Sequence, residues 1–247
     1  MPTSAPTRLR LPAARLFSAL LGLLPSQCAL CRAWPDEVLC RACLDQFAVP
    51  VPRCRHCALA VPPGQPVCGA CLRDPPPLDE CVAACDYDWP WSACVSRFKF
   101  AGEAGWAAPL AAVLRRHPRA ADLIDAADLV LPMPLSQERL RERGFNQSLE
   151  LARRLAPGRC DAQVLLRPVH TPPQSGLSRA DRLRNLRGAF AVEPARAHGL
   201  QGRAVLLIDD VMTTGASLSA AARVLRQAGA AQVTALVLAR TPAPGDA

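Results

Sequence analysis

The sequence has 247 residues, half of them apolar, with 29 basic and 21 acidic side chains and a formal charge of +8. That length accommodates one core of ordinary size plus a smaller module, and the apolar half argues against intrinsic disorder. The excess charge is local, since residues 136–190 hold eleven arginines and five carboxylates, a net +6. Such a segment suits the phosphates of a small ligand or of nucleic acid, and equally a solvated basic face, so charge alone does not choose a function.

At the N-terminus, Arg8, Arg10 and Arg15 precede the apolar run Leu16 to Leu24, which has the length of an export-signal core. The following Pro25-Ser26-Gln27-Cys28 is neither a good cleavage site nor a good lipobox, and the run is too short to span a bilayer. A short amphipathic segment over 1–25 and a cytoplasmic protein without a membrane span are expected.

Residues 26–75 form a cysteine-rich head. Eight of the twelve cysteines fall in four C-x-x-C pairs: Cys28/Cys31, Cys40/Cys43, Cys54/Cys57 and Cys68/Cys71. One such turn aims two thiolates at an ion, and two turns complete a tetrahedral sulfur shell, so four turns make two structural zinc sites. A disulfide framework is the alternative, but it belongs to exported proteins. Consecutive turns are paired here, Cys28/31/40/43 and Cys54/57/68/71, with a crossed pairing left open. The head has too little apolar material to fold by burial alone, and zinc supplies on the order of 10 kcal/mol or more per site. His56 is read as a bystander, and Cys81, Cys85, Cys94 and Cys160 as buried or inert thiols. The Pro-rich stretch 73–80 reads as a stiff linker.

From residue 81 the texture changes. Residues 81–106 carry Tyr87, Trp89, Trp91, Phe98, Phe100 and Trp106, more than half of the chain's aromatic side chains. They are read first as core, with a stacking surface for a base as the alternative. Lys99 is the only lysine among the 29 basic residues, which hints that an ammonium point charge is wanted there. Further on, apolar runs alternate with helical stretches: strand-like 128–135, a helix over 146–156, strand-like 162–169 and 204–210, a helix over 217–228 closed by Gly229, and strand-like 231–239. Continuous apolar strands separated by helices predict an α/β fold with a parallel sheet buried on both faces, and ligands at the carboxyl ends of its strands.

At one such end stands "VLLIDDVMTTGAS", residues 205–217. Two carboxylates beside a phosphate-type turn are a poor choice for a bare phosphate and a suitable one for a phosphorylated sugar. Asp209 and Asp210 accept hydrogen bonds from adjacent hydroxyls, while the amides from Thr213 to Ser217 and the helix they open hold the phosphate.

These thirteen residues match the phosphoribosyl pyrophosphate (PRPP) signature of type I phosphoribosyltransferases. With "FKFAGE" (98–103), "RGFNQS" (143–148) and "TPPQSGLSRADRLRNLRGAF" (171–190), the chain resembles the ComF family over about residues 26–240. Proteins of that family are competence-associated and phosphoribosyltransferase-like, and carry an N-terminal double zinc ribbon. The resemblance implies a type I phosphoribosyltransferase domain over 81–242 behind a double zinc ribbon over 26–75. It places Asp209 and Asp210 on the ribose hydroxyls and Thr213, Thr214, Gly215, Ala216 and Ser217 on the 5′-phosphate. The loop ending at Arg143, Gly144, Phe145, Asn146 and Gln147 would hold pyrophosphate. Segment 171–190, with Arg179, Arg182, Arg184 and Arg187, would be a flap closing over the site. Mg²⁺ would arrive with PRPP, held mainly by its oxygens and waters.

Transfer of phosphoribose to a nitrogen acceptor, with release of pyrophosphate, is the implied reaction; Arg143, flap arginines and Lys99 are the candidates for stabilising the leaving group. With few residues after Arg240, no C-terminal hood is expected, and the acceptor pocket is expected from residues 81–106. The alternative reading is a non-catalytic PRPP sensor or single-stranded-DNA adaptor, using the ribbons and the basic segment to engage DNA or other DNA-uptake proteins.

Overall fold

The computed structural model describes residues 26–168 and 188–243. Three of the apolar runs, together with a strand over 80–86 that the sequence reading did not include, form one parallel sheet of β1 (Glu80–Asp86), β6 (Gln232–Arg240), β5 (Ala204–Met212) and β2 (Leu129–Pro132), in that spatial order. Leu207 of β5 lies opposite Leu131 on one side and Ala235 on the other. Both faces are covered, as continuous apolar strands require. Val205, Leu207, Val233, Ala235 and Val237 share one core cluster with Leu218, Ala221, Ala222 and Leu225 of α8 (Ala216–Gln227). The alternate residues Leu206, Ile208, Leu236 and Leu238 are equally buried, on the face covered by α4 (Ala107–Arg116) and α7 (Gln147–Leu155).

The remaining helices are α1 (Arg41–Phe47), α2 (Gly69–Arg73), α3 (Trp91–Phe100), α5 (Ala120–Ala126) and α6 (Gln137–Arg143). The strand expected over 162–169 is shorter and lies elsewhere. Only β3 (Leu165–Leu166) forms, antiparallel to β4 (Ala191–Val192) and outside the main sheet. Pro168, which lacks an N–H, limits its extension. The 73–80 stretch is not a free linker either. Leu78 is buried, and Asp79 exchanges bonds with Val233, its amide donating at 2.9 Å and its carboxylate accepting at 2.7 Å.

The chain divides into two compact units between Cys43 and Leu44. In the smaller unit, Ser26 and Asp36 exchange backbone bonds of 2.7 and 2.8 Å around the first cysteine turns. The second pair of turns lies in the larger unit. There the amide of Cys81 donates to the carbonyl of Arg55 at 2.7 Å, and Arg53 pairs with Asp86 at 2.8 Å. No helix among the described residues is long and apolar enough to cross a membrane, and the 1–25 segment lies outside those residues.

Candidate active site and metal centres

β5 runs past both carboxylates to Met212 before the chain turns, so Asp209 and Asp210 stand within the strand, among its last four residues, rather than after it. Gly215 then caps α8 at φ 77°, a backbone region costly for any residue with a Cβ. A Cβ there would also lie 2.4 Å from the Cε of Met212. The Thr214 hydroxyl accepts from the amide of Ala216 at 3.4 Å. Thr213 to Ser217 thus wrap a small concavity at the start of α8, which opens beside Asp209.

A larger cleft of about 380 Å³ adjoins it, sharing Asp209, Val211, Thr213 and Ser217. Lys99, Arg139, Arg143 and Arg167 line this cleft, four cations facing the carboxylates of Asp209 and Asp210. Such a balance favours an anion bearing hydroxyl groups over either feature alone. The single lysine arrives from the end of α3, where its Nζ pairs with Asp210 Oδ1 at 3.0 Å. Ser148, in the first turn of α7, donates its hydroxyl to Asp209 Oδ1 at 2.9 Å, and the amide of Asp210 donates to the same oxygen at 2.9 Å. Burial, with the neighbouring Asp210 charge second, pushes the Asp209 carboxyl up to about 7 against the pull of Lys99 and these donors.

Several residues named from sequence therefore meet in one cleft: Lys99, Arg143, Gln147, Asp209, Asp210, Thr213 and Ser217. Thr214, Gly215 and Ala216 line the adjoining concavity. Gly144 and Asn146 line neither among the described residues; they shape the loop. Gly144 ends α6 at φ 77°, and Asn146 caps α7, accepting from the amides of Ser148 and Leu149 while donating to the carbonyl of Met133 at 3.0 Å. Gln147 is buried and spans its neighbours, donating to the carbonyl of Phe98 at 3.4 Å and accepting from Arg143 at 3.2 Å. Arg179, Arg182, Arg184 and Arg187 lie outside the described residues. Ala189 and Phe190, which the flap reading included, are core.

Ser148, Arg139 and Arg167 escaped the sequence reading. A signal existed for Arg139, which precedes Arg143 by four positions on α6 and so shares its face. None existed for Arg167, which reaches the cleft from beyond β3 with its guanidinium 5.3 Å from the centre of the Phe190 ring. The aromatic cluster of 81–106 divides. Trp91, Phe98 and Trp106 are core, whereas Phe100 is 73% exposed at the rim, with the Arg143 guanidinium 5.6 Å from its ring centre.

The eight paired cysteines form two clusters, Cys28/Cys31/Cys40/Cys43 and Cys54/Cys57/Cys68/Cys71, each with its four Sγ atoms within 4.8 Å of one another. Sulfur separations of 3.8 Å (Cys28–Cys43), 3.5 Å (Cys31–Cys40) and 3.7 Å (Cys57–Cys68) are far longer than a disulfide. They match the edge of a tetrahedron, about 3.8 Å for a Zn–S length of about 2.3 Å. Burial acting alone would raise the Cys28 thiol, yet amides of Cys40, Cys31 and Leu30 bring it down to about 6. Cys54 behaves alike, burial being outweighed by amides of Cys68, His56 and Cys57 so that it falls to about 7. Backbone and donor set both fit structural zinc. His56 turns away, its Nδ1 lying 3.2 Å from the carbonyl of Leu78. Cys81, Cys85 and Cys94 are buried thiols and Cys160 is half-buried.

Two family models match the chain: a phosphoribosyl transferase domain over residues 150–246 and a double zinc ribbon domain over residues 19–72. Among relatives, "DNA utilization protein YhgH" of Escherichia coli is 33% identical over 226 residues, covering 88% of this chain and 98% of that protein. "Competence protein F" of Haemophilus influenzae is 32% identical over 209 residues (82% of this chain, 90% of that protein), and "Competence protein ComFC" of Bacillus subtilis 29% identical over 232 (84% and 86%). Similarity of this extent, across the cysteine clusters and the parallel sheet alike, makes the chain a member of the ComF family, with a phosphoribosyltransferase-type domain joined to a double zinc ribbon.

Proposed function

We propose that the cleft binds PRPP and transfers its phosphoribosyl group to a nitrogen acceptor, releasing pyrophosphate. One observation carries this reading: Asp209 lines both the helix-opening concavity and the adjoining cleft, which it shares with Asp210 and four cations. The concavity suits a terminal phosphate, the carboxylates suit a vicinal diol, and Lys99, Arg139, Arg143 and Arg167 suit pyrophosphate. Asp209 and Asp210 orient the sugar, and the cations draw off the negative charge that grows on the leaving group as the bond at C1 lengthens. Asp209 and Asp210 are the only carboxylates lining the cleft among the described residues, and each already has an oxygen engaged. Mg²⁺ therefore fits as a companion of the substrate, held chiefly by phosphate oxygens, where it would add charge neutralisation. Cysteine clusters without disulfides suit a reducing, cytoplasmic setting.

Calorimetric titration with PRPP and Mg²⁺ tests the reading. Saturable binding is expected, weakened about tenfold or more in Asp209→Asn/Asp210→Asn, followed by pyrophosphate release when the right base is supplied. Unchanged affinity in the double variant overturns the site assignment. The relatives' names speak of competence and DNA utilization, which supports a second reading in which the PRPP-bound protein engages single-stranded DNA or a DNA-uptake partner. Single-strand binding that weakens with salt is its expected signature, and salt-indifferent binding counts against a phosphate-tracking surface.

A further inference from the structure

The last residue of β6 is a charged side chain in an apolar setting. Arg240 is only 7% exposed, although a guanidinium is costly to bury without partners for its donors. Its partners are backbone carbonyls from three separate segments. Nε donates to Cys57 at 2.9 Å, while Nη1 donates to Met212 at 3.3 Å, to Thr241 at 2.6 Å, and to Thr213. One planar fork thus ties a cysteine of the second four-cysteine cluster to the two residues from which the 213–217 turn springs. A second, independent contact runs alongside: the Cys81 thiol meets the Met212 sulfur at 3.5 Å, and the Cys81 amide is held by Arg55 of the same ribbon. Met212 in turn fills the space that a side chain at position 215 would need.

Charge follows the same route. Four thiolates around one Zn²⁺ carry a net charge of −2, and Arg240 supplies a buried cation between that centre and the floor of the concavity. We propose that Arg240 is a positioning residue that makes the second cysteine cluster part of the phosphate-binding turn, so that metal held there sets the shape of the turn. The first cluster, in the other compact unit, has no such role. The phosphate named here rests on the PRPP reading, but the coupling itself does not need that ligand.

Hydrogen exchange on the full chain separates the two. Exchange of the 212–217 amides is followed in the zinc-loaded protein, in Cys68→Ser, in Cys31→Ser and in Arg240→Met, with zinc content measured for each. Faster exchange at 212–217 is expected in Cys68→Ser and in Arg240→Met, the latter still holding both zinc ions. Cys31→Ser should match the parent protein, and Arg240→Lys should recover part of the protection. Protection of Leu206 to Ile208 in β5 reports whether each variant still folds. If Arg240→Met destroys the fold, the Cys68→Ser and Cys31→Ser pair decides alone. Unchanged 212–217 exchange in Cys68→Ser, or equal acceleration in Cys31→Ser, overturns the coupling.

A PRPP titration of Arg240→Met then shows the consequence, binding weakened about tenfold or more. If the parent protein fails to bind PRPP, the functional reading falls while the exchange result stands. If PRPP binds equally to both, the coupling does not reach the ligand and the proposal fails.

Discussion

At the residue scale, the buried Asp209 carboxylate carries a pH dependence. Asp209 titrates at about 7 in the folded protein, against about 3.9 for an unfolded aspartate. The folded state therefore holds the extra proton between those values. Its contribution to stability is complete below about pH 4 and falls as the pH rises to about 7, by at most about 1.4 kcal/mol per pH unit. Asp209→Asn should abolish that decline, gaining on the parent protein from pH 5 to pH 8 in urea unfolding; parallel profiles would contradict the assignment. Lys99→Met acts in the opposite sense. Lys99 pulls the Asp209 titration down, so its loss should carry the upper end of the decline to higher pH while the onset stays near about pH 4.

At the scale of elements, the turn before α8 is held by conformation as much as by chemistry. Gly215→Ala meets both a positive φ and the Met212 methyl, and should cost about 1–3 kcal/mol in equilibrium unfolding. Gly215→Ala/Met212→Ala should relieve the contact but not the φ, and so recover only part. β5, β6 and α8 were legible because long apolar runs flank a helical stretch closed by Gly229. β1 was not: Glu-Cys-Val-Ala-Ala-Cys-Asp holds a single β-branched residue, and pairing with β6 makes it a strand. The acidic doublet and its turn could be read because they are contiguous. Ser148 and Arg167 could not, since folding brings them to Asp209 from other segments.

For the whole molecule, two zinc ions per chain are expected by elemental analysis, and stripping both with a strong chelator should lower the melting temperature. A protein isolated without zinc, or one whose melting temperature the chelator leaves unchanged, would contradict structural zinc at the two clusters. The sheet order has a further consequence, for synthesis on the ribosome. Among the described residues, β1 is the first strand made and pairs only with β6, the last of them; Cys85 and Leu238, which bond across that seam, stand 153 positions apart. Throughout translation the apolar edge of β1 has no native mate, a non-local pairing of the kind that slows folding and exposes a nascent chain to aggregation. Chains interrupted before residue 232 should therefore accumulate as insoluble material, whereas chains that include β6 should stay in solution.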